Sequence, residues 1–271
     1  MKFVLIIVFG LLLAIAIPVL VVTLINRKHR LKTYVKAIVI PISSIVLITS
    51  FTLLYFAFNY HAKDEAKSYL KSDDDVAFVE ERDWYCFDHR SSDGNAVIFY
   101  AGAKVDPLAY SPLCSKLAHQ GVDVYMIKSP LYFPLLSVNA ADGVVTLNKY
   151  PNLYLMGHSL GGTVASLYLS SHDDDVFKGI IFLASYPNKK LKDSLRCLSL
   201  YGTNDKVLSQ EEYQKNKNNF PSAAKEIVIE GGNHACFGDY GAQRGDGVAS
   251  ISQEKQTDIV VNAAIGLIMN A

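Results

Sequence analysis

Residues 157–162 read GHSLGG, and their surroundings decide the fold. The stretch holds the pattern G-x-S-x-G as Gly157, Ser159 and Gly161. The apolar segment NLYLM runs directly into it with the character of a buried strand. Directly after it, Val164, Leu167 and Tyr168 recur at helical spacing across 160–170. A strand that turns into a helix through one residue needs small neighbours two places to either side. Gly157 and Gly161 meet that need, and Gly161 with Gly162 lets the helix pack close to the sheet. The helix start also brings backbone N–H groups and the positive end of the helix dipole beside Ser159.

The alternation continues outward from this turn. Short apolar runs bounded by turn residues predict strands at 96–102, 122–127, 152–157, 179–184, 197–202 and 226–230. The runs are too continuously apolar for sheets with one wet face, so they predict a parallel sheet covered on both sides. Helical patterns fall between them. Asp106-Pro107 is a helix start, with Asp as N-cap and Pro at the first helical position, and the helix should stop near Gly121. Further helices are expected at 209–219 and 253–269, and an antiparallel hairpin at 76–90. This is an α/β, doubly wound pattern.

Chain length and charge narrow the functional classes. The 271 residues carry 26 Lys+Arg against 26 Asp+Glu, which leaves no electrostatic footprint for nucleic acid. The mean hydropathy of +0.18 has a local source. Residues 3–25 and 37–58 are uncharged apolar runs, each near the ~20 residues a helix needs to cross a bilayer. Residues 1–60 therefore read as a transmembrane helical hairpin, 61–75 as a polar linker and 76–271 as the soluble domain. Arg27, Lys28, Arg30, Lys32 and Lys36 crowd the loop between the spans. The positive-inside rule puts that loop in the cytoplasm, and both termini and the domain outside, as a multi-pass cell-membrane protein. Ala14-Ile-Ala16 resembles a signal-peptidase site, but the apolar run continues past it. Neither span carries an ionisable residue, so neither marks an ion path. Cys86, Cys114, Cys197 and Cys236 form no CxxC pair and read as free thiols.

A serine hydroxyl is a poor nucleophile until a base takes its proton. The base is expected on the loop after the last strand, where Gly231-Gly232-Asn233 leads to His234. The acid that orients it is expected after the preceding strand, where Gly202-Thr203-Asn204 leads to Asp205. Asp239 and Asp246 follow His234 and break the Ser…Asp…His order. His158, adjacent to the serine on a sharp turn, points elsewhere and reads as a packing or pocket residue. The N–H of Leu160 is one candidate oxyanion donor. The second is expected in FYAGAKVDP, at Ala103, with Gly102 as the alternative. The run 128–141 brings Tyr132, Phe133 and Leu135 as candidate pocket-lining residues, and only a short segment separates the strands at 179–184 and 197–202. An open, small pocket without a large lid is expected.

These stretches, FYAGAKVDPLAYSPLCSKLAHQGVDVYMIKSPL, GHSLGGTVAS, YGTNDKV and GGNHACFGDYGAQRGDGVASIS, resemble the α/β-hydrolases. Within them the chain is similar to a compact bacterial, dienelactone-hydrolase-like group of the "alpha/beta hydrolase fold-5" type. The resemblance spans nearly all of 76–271. It implies Ser159, Asp205 and His234 as a triad and the Gly102–Ala103 loop as oxyanion hole, with no metal or organic cofactor. Ala101 departs from the Pro or His that such proteins often carry before that glycine. The expected activity is membrane-anchored hydrolysis of a small ester-like substrate, with thioester or amide hydrolysis using the same parts. The rival reading is a non-catalytic, membrane-tethered binding module on the same fold.

Overall fold

A computed structural model describes residues 2–92, 94–172 and 175–269. Its contacts divide it into two units, the first ending at Phe58 and the second beginning at Asn59.

The first unit is a pair of long helices, α1 (Lys2–His29) and α2 (Thr33–Ala57). Leu12–His29 and Thr33–Leu54 are long and apolar enough to cross a membrane, with mean hydropathies of 1.5 and 2.3. Leu20, Leu24, Ile38, Ile45 and Leu53 are among the apolar residues left more than half exposed. Three hydroxyls bond within the helices: Thr23, Ser43 and Thr52 donate to the carbonyls of Val19, Val39 and Ile48, whereas the buried Ser44 hydroxyl has no partner among the described residues.

The second unit is built on one sheet. In chain order its elements are α3 (Asp64–Lys67), β1 (Val76–Glu80), β2 (Trp84–His89), β3 (Asn95–Tyr100), α4 (Ser111–Ala118), β4 (Asp123–Ile127), α5 (Ala141–Val145), β5 (Asn152–His158), α6 (Leu160–Ser171), β6 (Phe177–Leu183), β7 (Arg196–Gly202), α7 (Gln210–Lys215), β8 (Lys225–Ile229) and α8 (Gln253–Met269). The strands lie in the order β1-β2-β4-β3-β5-β6-β7-β8. β2 runs antiparallel to β1 and β4, and the remaining pairs are parallel. All six apolar runs form strands, and the 76–90 hairpin joins the sheet at its edge.

The continuous hydrophobicity of β3 to β7 has a direct cause, since both faces are buried, whereas β8 at the sheet edge exposes Lys225, Glu226 and Val228. Along β3, Val97 and Phe99 join a core with α4 and α8, while Ala96, Ile98 and Tyr100 join the opposite core with Val164, Ala165 and Tyr168 of α6. Asp106 caps as its sequence suggests, accepting from the Leu108 N–H at 3.0 Å, but it starts a 3-10 turn over Pro107–Tyr110 that only then becomes α4. The expected helix at 209–219 is split into α7 and a 3-10 turn over Lys217–Asn219. The run 128–141 forms 3-10 turns over Pro130–Tyr132 and Pro134–Ala140.

The segment read as a linker is packed. Ala62 and Ala66 are buried in the α4/α8 core. Upstream of them Tyr60 pairs in parallel with Val105, its N–H donating to the Lys104 carbonyl at 2.7 Å and its carbonyl accepting from the Asp106 N–H at 2.9 Å. Its hydroxyl accepts from the Arg244 N–H at 3.1 Å, its ring lies 5.4 Å from that of Tyr240, and Lys63 bonds Asp239 through both backbone and side chain. Hydrogen-bonded backbone at a polar stretch is invisible to a hydropathy reading, because the main chain rather than the side chains makes the contact.

Two expectations follow. A Cβ at position 161 would strike the Tyr100 and Ala101 carbonyl oxygens, whereas at Gly266 in α8 it would meet nothing within 4 Å. Thermal unfolding of the full chain in detergent should show Gly161→Ala losing about 3 kcal/mol and Gly266→Ala gaining about 0.5–1 kcal/mol. Burial pushes the thiols of Cys86 and Cys197 up to about 12 and holds that of Cys114 well above the usual thiol range, leaving almost no thiolate at neutral pH. Iodoacetamide at pH 8 should modify half-buried Cys236 first, and the other three only after denaturation, as read by peptide mass spectrometry.

Candidate active site

Ser159 sits alone between the end of β5 and the start of α6, with φ 52° and ψ −123°. A side chain in that left-handed region costs of order 1–3 kcal/mol, so the surroundings must enforce it. They do so from both sides. The Ser159 N–H donates to the Leu183 carbonyl at 2.9 Å, and its carbonyl accepts from the Ser185 hydroxyl at 2.6 Å. The glycines of the motif fill no space because there is none: a Cβ at 157 would overlap the backbone of Gly161 and Gly162, and one at 162 would strike Ser185. The strained turn is thus held by backbone-to-backbone approach that side chains would forbid. Ser159 remains half-exposed at the carboxyl end of the sheet.

β7 and β8 deliver the other two candidates to that same end. Asp205 and His234 follow them, both buried, and His234 Nδ1 donates to Asp205 Oδ2 at 2.8 Å. That bond puts the proton on Nδ1 and leaves Nε2 with its lone pair. Asp205 also serves as a cap, since its Oδ1 accepts from the N–H groups of Val207 and Leu208, each at 2.8 Å. One carboxylate therefore fixes both its own loop and the imidazole. The His234 ring lies 4.5 Å from that of His158, the residue before Ser159. Among the described residues the Ser159 hydroxyl makes no hydrogen bond to His234; such contacts are often long in unliganded sites.

Near Ser159, the N–H of Leu160, first in α6, has no acceptor among the described residues. The same holds for Ala103. The alternative at Gly102 differs: its N–H donates to the Tyr110 hydroxyl at 3.1 Å. Because Tyr110 accepts there, its own proton goes to His158 Nδ1, 2.8 Å away. His158 is then the Nε2–H tautomer, fully buried, and burial together with the nearby His234 holds its pKa well below the usual imidazole range. The sequence reading of His158 as a packing residue describes where it sits but misses that it anchors the Gly102–Ala103 loop through Tyr110.

Asp246 was passed over as an acid, and the structure gives it other partners. Its carboxylate accepts from the N–H of Lys206, beside Asp205, and of Ala235, beside His234, at 3.1 and 2.9 Å. It ties the two loops together. Asp239 bonds Lys63 instead. Nothing local in the sequence marks Tyr110 or Asp246, whose partners lie 8 to 48 and 11 to 40 residues away.

The sequence pattern of the alpha/beta hydrolase family matches residues 96–258, the stretch that carries Ser159, Asp205 and His234. The fold is similar to that of MGS-MChE2, an alpha/beta hydrolase enzyme from the metagenome of sediments from the lagoon of Mar Chica, Morocco, at 15% identity, with 70% of this chain and 97% of that chain covered and a TM-score of 0.51. It is similar also to TT1662 from Thermus thermophilus, at 13% identity, 71% and 97% coverage and a TM-score of 0.51. The Francisella virulence factor BioJ gives 11% identity, 77% and 90% coverage and a TM-score of 0.55. At these identities the likeness is one of fold. None of the curated proteins matches the chain in sequence. With a sheet of this order, a strained serine turn after β5, and the family's pattern running through most of the second unit, the chain belongs to the alpha/beta hydrolase family.

Proposed function

We propose that the chain is a membrane-anchored serine hydrolase that cleaves an ester-type bond. The observation that carries this reading is a buried imidazole whose Nδ1 is held by a carboxylate and whose ring lies 4.5 Å from that of His158, the residue before the strained turn at Ser159. In the proposed cycle Ser159 Oγ attacks the acyl carbonyl carbon while His234 Nε2 takes the hydroxyl proton. The developing alkoxide accepts from the N–H groups of Ala103 and Leu160. Asp205 keeps the imidazole in the required tautomer and stabilises its cation. Collapse breaks the bond to the leaving alcohol, which receives the proton from His234. Water then attacks the acyl-enzyme by the same route, with His234 as base, and returns Ser159 to its starting state. No step needs a metal or an organic cofactor. The half-exposed serine and the absence of room for a large lid favour a small or single-chain ester substrate.

Residues 1–58 serve as the anchor in this reading. Two helices long and apolar enough to cross a membrane, with their large apolar side chains largely exposed, suit a bilayer. The basic loop between them puts the catalytic unit on the outer face of the cell membrane.

A fluorophosphonate probe tests the nucleophile directly. Wild-type protein in detergent should label, and Ser159→Ala and His234→Ala should not, while still unfolding cooperatively on heating. On a short-chain ester, Ser159→Ala should lower kcat by about 10³-fold or more. A folded wild type that neither labels nor hydrolyses any ester would instead favour the binding module. Asp205→Asn, which keeps the shape but disturbs the tautomer, should lower kcat by about 10⁴-fold with KM little changed.

A further inference from the structure

A short length of chain lies between the anchor and the site. Phe58 and Asn59 alone separate Ala57, the last residue of α2, from Tyr60, which is hydrogen-bonded to Lys104 and Asp106 on the loop that carries Ala103. Three residue steps reach at most about 11 Å, however the two units swing. The headgroup layer on one side of a bilayer is itself about 5–8 Å deep. The Ala103 loop is therefore leashed to the membrane by a tether comparable with the thickness of the membrane's own polar surface.

The second observation concerns exposure. Within six residues, Leu131, Leu135 and Leu136 are 53%, 41% and 56% exposed. The other large apolar side chains exposed on this unit, Val79, Leu147, Val228 and Val248, come from four separate segments. The leucine-bearing turns adjoin the site: the Tyr132 carbonyl accepts from the Lys104 N–H at 2.6 Å. They also adjoin the tether, since the Tyr132 ring lies 6.3 Å from that of His61, four residues beyond the end of α2. Clustered leucines exposed to water are costly, whereas the same cluster at a lipid surface is favourable.

We propose that the turns at Leu131, Leu135 and Leu136 rest in the surface of the bilayer that holds α1 and α2, and that Ser159 acts on membrane-resident amphiphilic esters of the glycerolipid type. This rests on the serine-hydrolase and anchor readings above. An ester of that kind keeps its carbonyl at the boundary between headgroups and acyl chains. The tether holds the Ala103 loop at that level, and the leucines offer the acyl chain an apolar path out of the bilayer. The half-exposed Ser159 is open to such a substrate without a lid.

The test uses full-length protein reconstituted in phosphatidylcholine vesicles and two substrates: a fluorogenic long-chain monoacylglycerol analogue embedded in the same vesicles, and p-nitrophenyl acetate in the water. Two variants leave the catalytic groups untouched. One is the double variant Leu131→Ser, Leu136→Ser. The other inserts a flexible Gly/Ser stretch of about 20 residues between Phe58 and Asn59, which lengthens the tether to about 25 Å. Both should lose about tenfold or more on the embedded ester and stay within about twofold on the soluble one. A Leu131→Phe, Leu136→Phe variant should retain activity on both. Wild-type rates of both variants on the embedded ester would overturn the proposal, as would a wild type that cleaves only the soluble ester. A wild type that cleaves neither and fails to label with fluorophosphonate refutes the hydrolase reading itself, and extraction of the chain from vesicles by carbonate refutes the anchor.

Discussion

The close approach of the α6 N-terminus to the ends of β3 and β5 governs the geometry of the candidate site. Backbone meets backbone there with no side chain between: Gly161 lies against the carbonyls of Tyr100 and Ala101, and Gly157 against Gly161 and Gly162. If the helix stood off by the width of one methyl group, the left-handed turn at Ser159 would relax and the Leu160 N–H would swing away. Ser185 completes the arrangement by bonding the Ser159 carbonyl from β6's side. The strain at one residue is sustained by a whole layer of packing, which is why it can persist at a surface-facing position.

A second backbone contact gathers the base and the acid. Gly202, at the end of β7, lies against Gly232 in the loop after β8, and the Asn204 N–H donates to the Gly232 carbonyl at 2.8 Å. Asp246 reaches both loops from further along the chain. Gln256 of α8 closes the set, accepting from the Asn233 N–H at 3.1 Å and donating to the Asn233 carbonyl at 2.9 Å. The loops that carry Asp205 and His234 are therefore one mechanical piece, seated on the final helix. The tail rich in glycine and polar residues after His234 is the brace that makes them so.

Much of this was legible in the sequence because it is written in side-chain periodicity. Strands buried on both faces read as apolar runs, and turn chemistry such as Asp106-Pro107 announces itself locally. Ser159, Asp205 and His234 follow the carboxyl ends of β5, β7 and β8. What escaped was carried by main chain or by distant single bonds. Tyr60 enters the sheet's margin through its backbone, so a polar, charged segment looked like a linker. Tyr110 and Asp246 act through partners far along the chain, and neither has a spacing that sets it apart. The 3-10 turns at 130–140 carry leucines that look like core in one dimension and face outward in three.

The burial of His158, which Tyr110 links to Gly102, limits how many charges the site can hold. Two imidazole rings lie 4.5 Å apart, and in the proposed cycle one of them becomes a cation. A second cation at that distance would oppose the first by roughly 4 kcal/mol at an effective dielectric of 20. Burial and the nearby His234 oppose this by holding His158 neutral, with the Tyr110 hydroxyl 2.8 Å from its Nδ1. The same hydroxyl accepts from the Gly102 N–H, so the loop that carries Ala103 and the neutral ring beside His234 meet at one tyrosine.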